Sequence, residues 1–210
     1  MKVLLVNGGP HAKGCTYTAL AEVEKTLNKE GIETEIFWVG VKPIASCISC
    51  RTCAETKKCV FNDCVNEFLD KAKDFDGFIF GTPVHYAGAT GAITSFMDRA
   101  FFTDFLSGRK TFWLKPAAAV ISARRAGTTA AFDQMNKYFT ISEMPIVSSR
   151  YWNMVHGAEA EDVLQDEEGL YTMRVLARNM AWMLKCKEAG IKNGVEFPEQ
   201  EEPVFTNFIR

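Results

Sequence analysis

The chain has 210 residues, 47% of them hydrophobic and 24% charged, a balance that fits one globular domain with a sizeable core. Its 24 lysines and arginines against 26 aspartates and glutamates give a formal charge of -2, and no basic run offers a track for a phosphate backbone, so nucleic acid is not an expected partner. The apolar start Val3-Leu4-Leu5-Val6 stops at Asn7-Gly8-Gly9, too soon for a signal peptide, and no stretch reaches the roughly 18 apolar residues of a membrane helix, so the expectation is a cytoplasmic protein without a membrane partner.

In chain order, residues 2–7 form an apolar run that suits a strand buried on both faces. Residues 16–30 carry Leu20, Val23 and Leu27 at helical spacing and end at Gly31. Residues 32–39 predict a second strand. After a cysteine-rich segment, Asn62 or Asp63 caps a helix running through Lys73. A third strand is expected at 76–81, followed by Thr82-Pro83 and a helix over 91–105 with Ile93, Phe96, Met97 and Ala100 along one side. A fourth strand at 117–121, a helix at 129–139, a short fifth strand at 145–147 and a long helix at 169–189 complete the series.

Five strands alternating with helices predict an α/β fold with a doubly wound, five-stranded parallel sheet, three layers deep. Ligands of such folds sit beyond the carboxyl ends of the strands, which directs attention to loops 8–16, 40–60, 82–90 and 122–128, and to the aromatic segment 148–157. One domain is expected over 1–190, with a cysteine-rich insert at 47–64 and a tail at 191–210. Pro198 and Pro203 break the tail, and its apolar Val204, Phe205, Phe208 and Ile209 suit either docking or fraying.

The first of these loops, Gly8-Gly9-Pro10-His11-Ala12-Lys13-Gly14-Cys15-Thr16, leaves a strand and opens a helix, where backbone N–H groups and the helix dipole bind phosphate. It has neither the G-x-G-x-x-G spacing of dinucleotide folds nor the Gly-Lys-Ser/Thr ending of a P-loop, which disfavours tightly bound NAD and ATP.

The cysteines carry a second signal. Of seven, five fall between residues 47 and 64, and an odd, clustered set reads as a metal or redox site rather than a secreted disulfide framework. Cys47-x2-Cys50-x2-Cys53-x5-Cys59 offers four soft thiolates from one loop, which an iron–sulfur cluster, zinc, or a redox-active thiol set would each use. Cys64 reads as buried or spare, and Cys186 as a small core residue.

Three segments together resemble the NADPH-dependent FMN reductases and, within them, the iron–sulfur flavoproteins. They are the first loop, the stretch Gly81-Thr82-Pro83-Val84-His85-Tyr86 leading to Met97-Asp98-Arg99, and the cysteine motif. Gly9, His11 and Cys15 stand where that family commonly has Ser, Arg and Asn, so fewer side-chain donors face the phosphate. The resemblance implies a flavodoxin-like fold and bound FMN. Gly9, Pro10, His11, Lys13, Gly14, Cys15, Thr16 and Tyr17 would lie at the phosphate, and Pro83, Val84, His85 and Tyr86 at the flavin ring. Ser122, Arg124, Arg125 and Gly127 would lie at its pyrimidine side, where a cation favours negative charge on the ring. It further implies a 4Fe-4S cluster on Cys47, Cys50, Cys53 and Cys59. The expected function is electron transfer between NAD(P)H or ferredoxin and a quinone, small-molecule or protein acceptor, by a homodimer or homotetramer, with no catalytic acid or base. A cluster-free NAD(P)H:FMN or quinone oxidoreductase and a zinc-binding cysteine module without redox turnover are the alternatives.

Overall fold

A computed structural model of the chain describes residues 1–206 and 208. Its central sheet contains β1 (Lys2–Asn7), β2 (Glu33–Trp38), β3 (Gly77–His85), β5 (Ala117–Ala123) and β6 (Met154–His156), all parallel and ordered β2-β1-β3-β5-β6. A two-residue strand, β4 (Gly88–Ala89), folds back antiparallel on the end of β3. The helices are α1 (Cys15–Lys29), α2 (Cys53–Thr56), α3 (Cys64–Ala72), α4 (Gly91–Ser107), α5 (Thr128–Ile141), α6 (Ala160–Val163) and α7 (Glu167–Lys192).

The continuous apolar runs are strands because both sheet faces are covered. Alternate residues of one strand serve two separate cores. Leu4, Val6, Phe78, Phe80 and Ile121 face α3, α4 and α5, while Val3, Leu5, Ile79 and Val120 face α1, α6 and α7. The first core is aromatic. Phe68 meets Phe96 at 5.0 Å between ring centroids and Phe101 stacks on Phe112 at 4.4 Å, with each buried ring contributing roughly 1.5–3 kcal/mol by area. Ala117, Ala118 and Ala119 leave room on β5 for these rings and for the helices behind them. Asp63 caps α3 by accepting from Val65 N, one of the two cap positions expected.

Two expectations need correction here. The fifth strand is at Met154–His156. Residues 145–147 make only a single bridge, Ile146 against Ala117. Both segments lie against β5, so its edge is filled in two pieces with the aromatic loop between them. Cys186 is exposed on α7, not in the core. In the tail the Phe197 ring lies 5.7 Å from the Trp113 ring, and Phe197, Val204, Phe205 and Phe208 are all exposed; Ile209 lies outside the described residues. No helix among the described residues is long and apolar enough to cross a membrane.

The two central strands close on each other through glycine. Gly8 N donates to Gly81 O at 2.8 Å, and a Cβ on Gly8 would lie 2.8 Å from that same oxygen. Because the obstacle is backbone, it cannot swing aside. Gly8→Ala is expected to lower the unfolding free energy by about 1–3 kcal/mol in urea titrations. Gly91→Ala, where an added Cβ meets nothing within 4 Å, should be neutral or slightly stabilising.

Candidate functional site

The loop after β1 is braced from several directions. Buried Asn7 accepts from Gly9 N through Oδ1 at 2.9 Å and donates through Nδ2 to Ala12 O at 3.3 Å, a side-chain turn of the kind asparagine favours. Trp38 Nε1, at the end of β2, donates to Gly9 O at 2.8 Å. The α1 N-cap is Gly14, which has no side chain to offer, and the first turn carries no acidic residue. The positive end of the helix therefore faces the loop without an internal counter-charge. Thr16 is buried, with Oγ1 2.8 Å from Ser122 Oγ at the end of β5. Pro10, His11 and Lys13 are exposed, while Gly14, Cys15 and Tyr17 are half-buried.

Cys15 points elsewhere. Its Sγ lies 3.6 Å from Ala158 O and 3.8 Å from Gly157 O, so it ties this loop to the turn after β6. Burial there, with nearby acidic side chains, pushes the thiol above its ordinary range.

The segment expected to be a loop after residue 81 is instead strand as far as His85, then a hairpin. Tyr86 and Ala87 both have positive φ, 48° and 59°, as a two-residue turn of the I′ class requires, and Val84 and His85 pair with Ala89 and Gly88. Left-handed backbone at a residue as bulky as Tyr86 costs on the order of 1–3 kcal/mol and presents its ring wholly to solvent. Two contacts hold the hairpin. Ala89 N donates to Gln134 Oε1 at 3.2 Å, and Gly127, at φ 95°, lies so close that a Cβ on it would sit 2.5 Å from Ala87 Cα and 2.8 Å from Val84 Cγ1. Arg124 and Arg125, just before Gly127, are exposed and form no ion pair among the described residues. Loops 8–16, 82–90 and 122–128 thus adjoin at the carboxyl edge of the sheet. The aromatic segment 148–153 keeps company with α7, through Ser149 Oγ to Thr172 O at 2.7 Å and Asn179 Nδ2 to Ser148 O at 2.8 Å.

The cysteine segment makes a second centre. Cys47, Cys50, Cys53 and Cys59 line one surface pocket of about 310 Å³, counted with its open mouth, together with Ile48, Arg51, Val60, Phe61 and, from α4, Arg99, Phe102 and Thr103. Cys53 is buried, Cys59 half-buried, and Cys47 and Cys50 exposed. Ser49 and Arg51 adopt left-handed φ values of 53° and 58°, so the backbone reverses its twist between successive cysteines and turns their side chains into one hollow. Among the described residues, no three His, Cys, Asp or Glu side chains stand where they would hold a single metal ion. Asn66 clamps the Cys59 backbone on both sides, accepting from its N–H and donating to its carbonyl, each at 2.9 Å. Hydrogen bonds from Thr52 hold the exposed Cys50 thiol below its ordinary range. Burial, with Asp63 beside it, pushes Cys64 up to about 11.

Residues 1–159 match the NADPH-dependent FMN reductase family model. The chain belongs to this family. Among its relatives, an iron-sulfur flavoprotein of Methanocaldococcus jannaschii is 32% identical over 192 residues, covering 88% of this chain and 98% of that protein. An iron-sulfur flavoprotein of Archaeoglobus fulgidus is 30% identical over 194 residues, covering 87% and 97%. In fold, the chain is similar to the solved structure of RosB with bound 8-demethyl-8-formylriboflavin-5'-phosphate, at a TM-score of 0.67 and 16% identity over 100% of this chain and 94% of that one. The strand order of this FMN reductase family member is the flavodoxin-like one.

Sequence reasoning missed four residues that shape the two centres: Asn7, Trp38, Asn66 and the inward course of Arg99. Asn7 carried a usable signal, an Asx residue at a strand end followed by glycine. Asn66 and Trp38 carried none, since their partners are set by packing. The thiolate is the reactive form of cysteine, so the two shifted thiols in this segment should part company. In metal-free protein at about pH 8, close to the ordinary cysteine pKa, iodoacetamide should alkylate Cys50 and spare Cys64, as read by peptide mass spectrometry.

Proposed function

We propose that this family member is an FMN-dependent redox protein that passes electrons between a reduced donor, NAD(P)H or ferredoxin, and a quinone, small-molecule or protein acceptor, with a 4Fe-4S cluster on Cys47, Cys50, Cys53 and Cys59. The observation that carries the reading is the pairing of two centres: four thiols lining one pocket, and three loops meeting at the carboxyl edge of the sheet around an uncapped helix. When bound, FMN supplies reversible two-electron chemistry and the cluster one-electron steps.

The residues present fit both groups. At the first loop the open N-terminus of α1, with the backbone of Gly9 to Tyr17 and the Thr16 hydroxyl, offers donors to a dianionic phosphate. Exposed His11 and Lys13 stand beside it, Lys13 as a mobile cation. Pro83 and Val84 give an apolar wall, and Tyr86 a flat ring on a hairpin that two neighbours hold still. Ser122 and Gly127 border the third loop, where the exposed Arg124 and Arg125 favour negative charge. No side chain here is asked to move a proton. At the second centre the donor set is all sulfur, soft ligands suited to iron and sulfur, and Ile48, Val60, Phe61 and Phe102 add apolar lining to the open pocket. Tyr151, Trp152, Tyr171 and Trp182 remain exposed, the kind of surface a homodimer or homotetramer would cover.

Anaerobically purified protein should show flavin absorbance with a broad band near 400 nm and about four irons per chain, the content of one such cluster. Replacing Cys50 with Ser should remove most of the iron and the broad band while leaving FMN at the wild-type ratio, because different loops hold the two groups. Flavin bands without iron in the wild type would leave the cluster-free oxidoreductase, and zinc without flavin would overturn both redox readings.

A further inference from the structure

Arg99 is buried in the first core's outer wall, 1% exposed, with its guanidinium between α3, α4 and the cysteine loop. All five of its N–H donors are used. Nη1 and Nη2 grip Asp63 in a two-pronged pair at 2.7 and 2.8 Å, and they reach Ala45 O at 3.4 Å and Phe61 O at 3.2 Å. Nε donates to Cys59 Sγ at 3.2 Å. The fork on Asp63 fixes the guanidinium plane, and the plane aims Nε at the sulfur. Asn66 holds the Cys59 backbone at the same time. The fourth cysteine is therefore set in place before anything binds, whereas Cys47 and Cys50 are exposed.

We propose that Arg99 is a positioning residue for the cysteine centre, holding Cys59 Sγ toward the pocket and supplying a buried positive charge against its four thiolates. This rests on the cluster reading above. A donor and a fixed cation at a ligating sulfur stabilise the more negative, reduced state of a cluster, so Arg99 raises its potential, and Asp63 moderates that effect.

The test compares wild-type protein with Arg99→Gln, Arg99→Lys and Asp63→Asn, all purified anaerobically as full-length chain. FMN content serves as the check on folding. The readouts are iron per chain, the EPR signal of the reduced cluster, and its midpoint potential by redox titration. Arg99→Gln should lose iron, change the EPR line shape and shift the potential downward. Arg99→Lys keeps the charge but has no fork, and should change the line shape with a smaller downward shift. Asp63→Asn keeps one acceptor oxygen for Val65 N and Arg99 Nη2 but loses the second prong and the counter-charge, and should change the line shape while shifting the potential upward. Opposite shifts from the two halves of one ion pair are what a role carried by charge and aim requires, and a packing role would not produce them. If Arg99→Gln does not hold FMN, the Arg99→Lys and Asp63→Asn arms decide. Iron-loaded wild type whose folded variants match it in line shape and potential would overturn the role of Arg99 alone, whereas wild type without iron would overturn the cluster reading and this role with it.

Discussion

Where β1 ends beside the middle of β3, a glycine on each side leaves no side chain to keep the two apart. Gly8 N reaches Gly81 O at 2.8 Å, and a Cβ on Gly81 would collide with Thr16 and Leu20 of α1 at 2.8 and 2.9 Å. This is also the point at which the strand order reverses, with β2 to one side of the pair and β5 and β6 to the other. Parallel strands put all their carboxyl ends on one edge, and a reversal leaves a crevice between the two sets of connections. The close approach of two glycines lets α1 begin directly over that crevice. From there Thr16 reaches Ser122 two strands away, and the hairpin after β3 folds against Gly127.

Helix α4 joins this edge to the cysteine pocket. Its cap, Thr90, accepts from Ile93 N, and its own N–H donates to Thr82 Oγ1, so the helix starts rigidly at the end of the hairpin. Arg99 comes eight residues after the first helical position, about 12 Å along the axis at the usual helical rise. Ile93, Phe96 and Met97 are fully buried in the aromatic core between the two points. A helix with one face buried in the core thus spans the two centres. The cysteine loop is held against it by backbone clamps and one guanidinium, rather than by regular structure of its own beyond the four residues of α2.

Charge is arranged sparingly. The net charge is close to zero, yet the first loop carries no acid at its helix start, and the third loop presents two arginines with no ion pair among the described residues. Among the described residues the cysteine pocket has one buried cation, whose partner carboxylate is only partly shielded. A cation buried with a two-pronged partner keeps its aim, because the alternative is an unpaired charge out of water. The same logic leaves Cys64, beside Asp63 and half-buried, as a neutral thiol outside the pocket.

Sequence alone determined the alternation of strands and helices, and with it the doubly wound sheet, because buried parallel strands need unbroken apolar runs and their helices a 3.6-residue stripe. It also determined which loops reach the carboxyl edge and that four cysteines share one short segment, since both follow from chain order. It misplaced the last strand, because Pro145-Ile146-Val147 looks as much like a strand as Met154-Val155-His156. Only the edge of β5 chose between them, pairing three residues with the latter and one with the former. It placed Cys186 in the core although the residue falls two positions past buried Leu184, on the outer flank of α7. Tertiary structure alone decided that Thr16 meets Ser122, that Trp38 meets Gly9 and that Arg99 turns toward Cys59. These contacts join residues 29 to 106 positions apart, and no local pattern encodes which of many polar side chains will be carried to the same place.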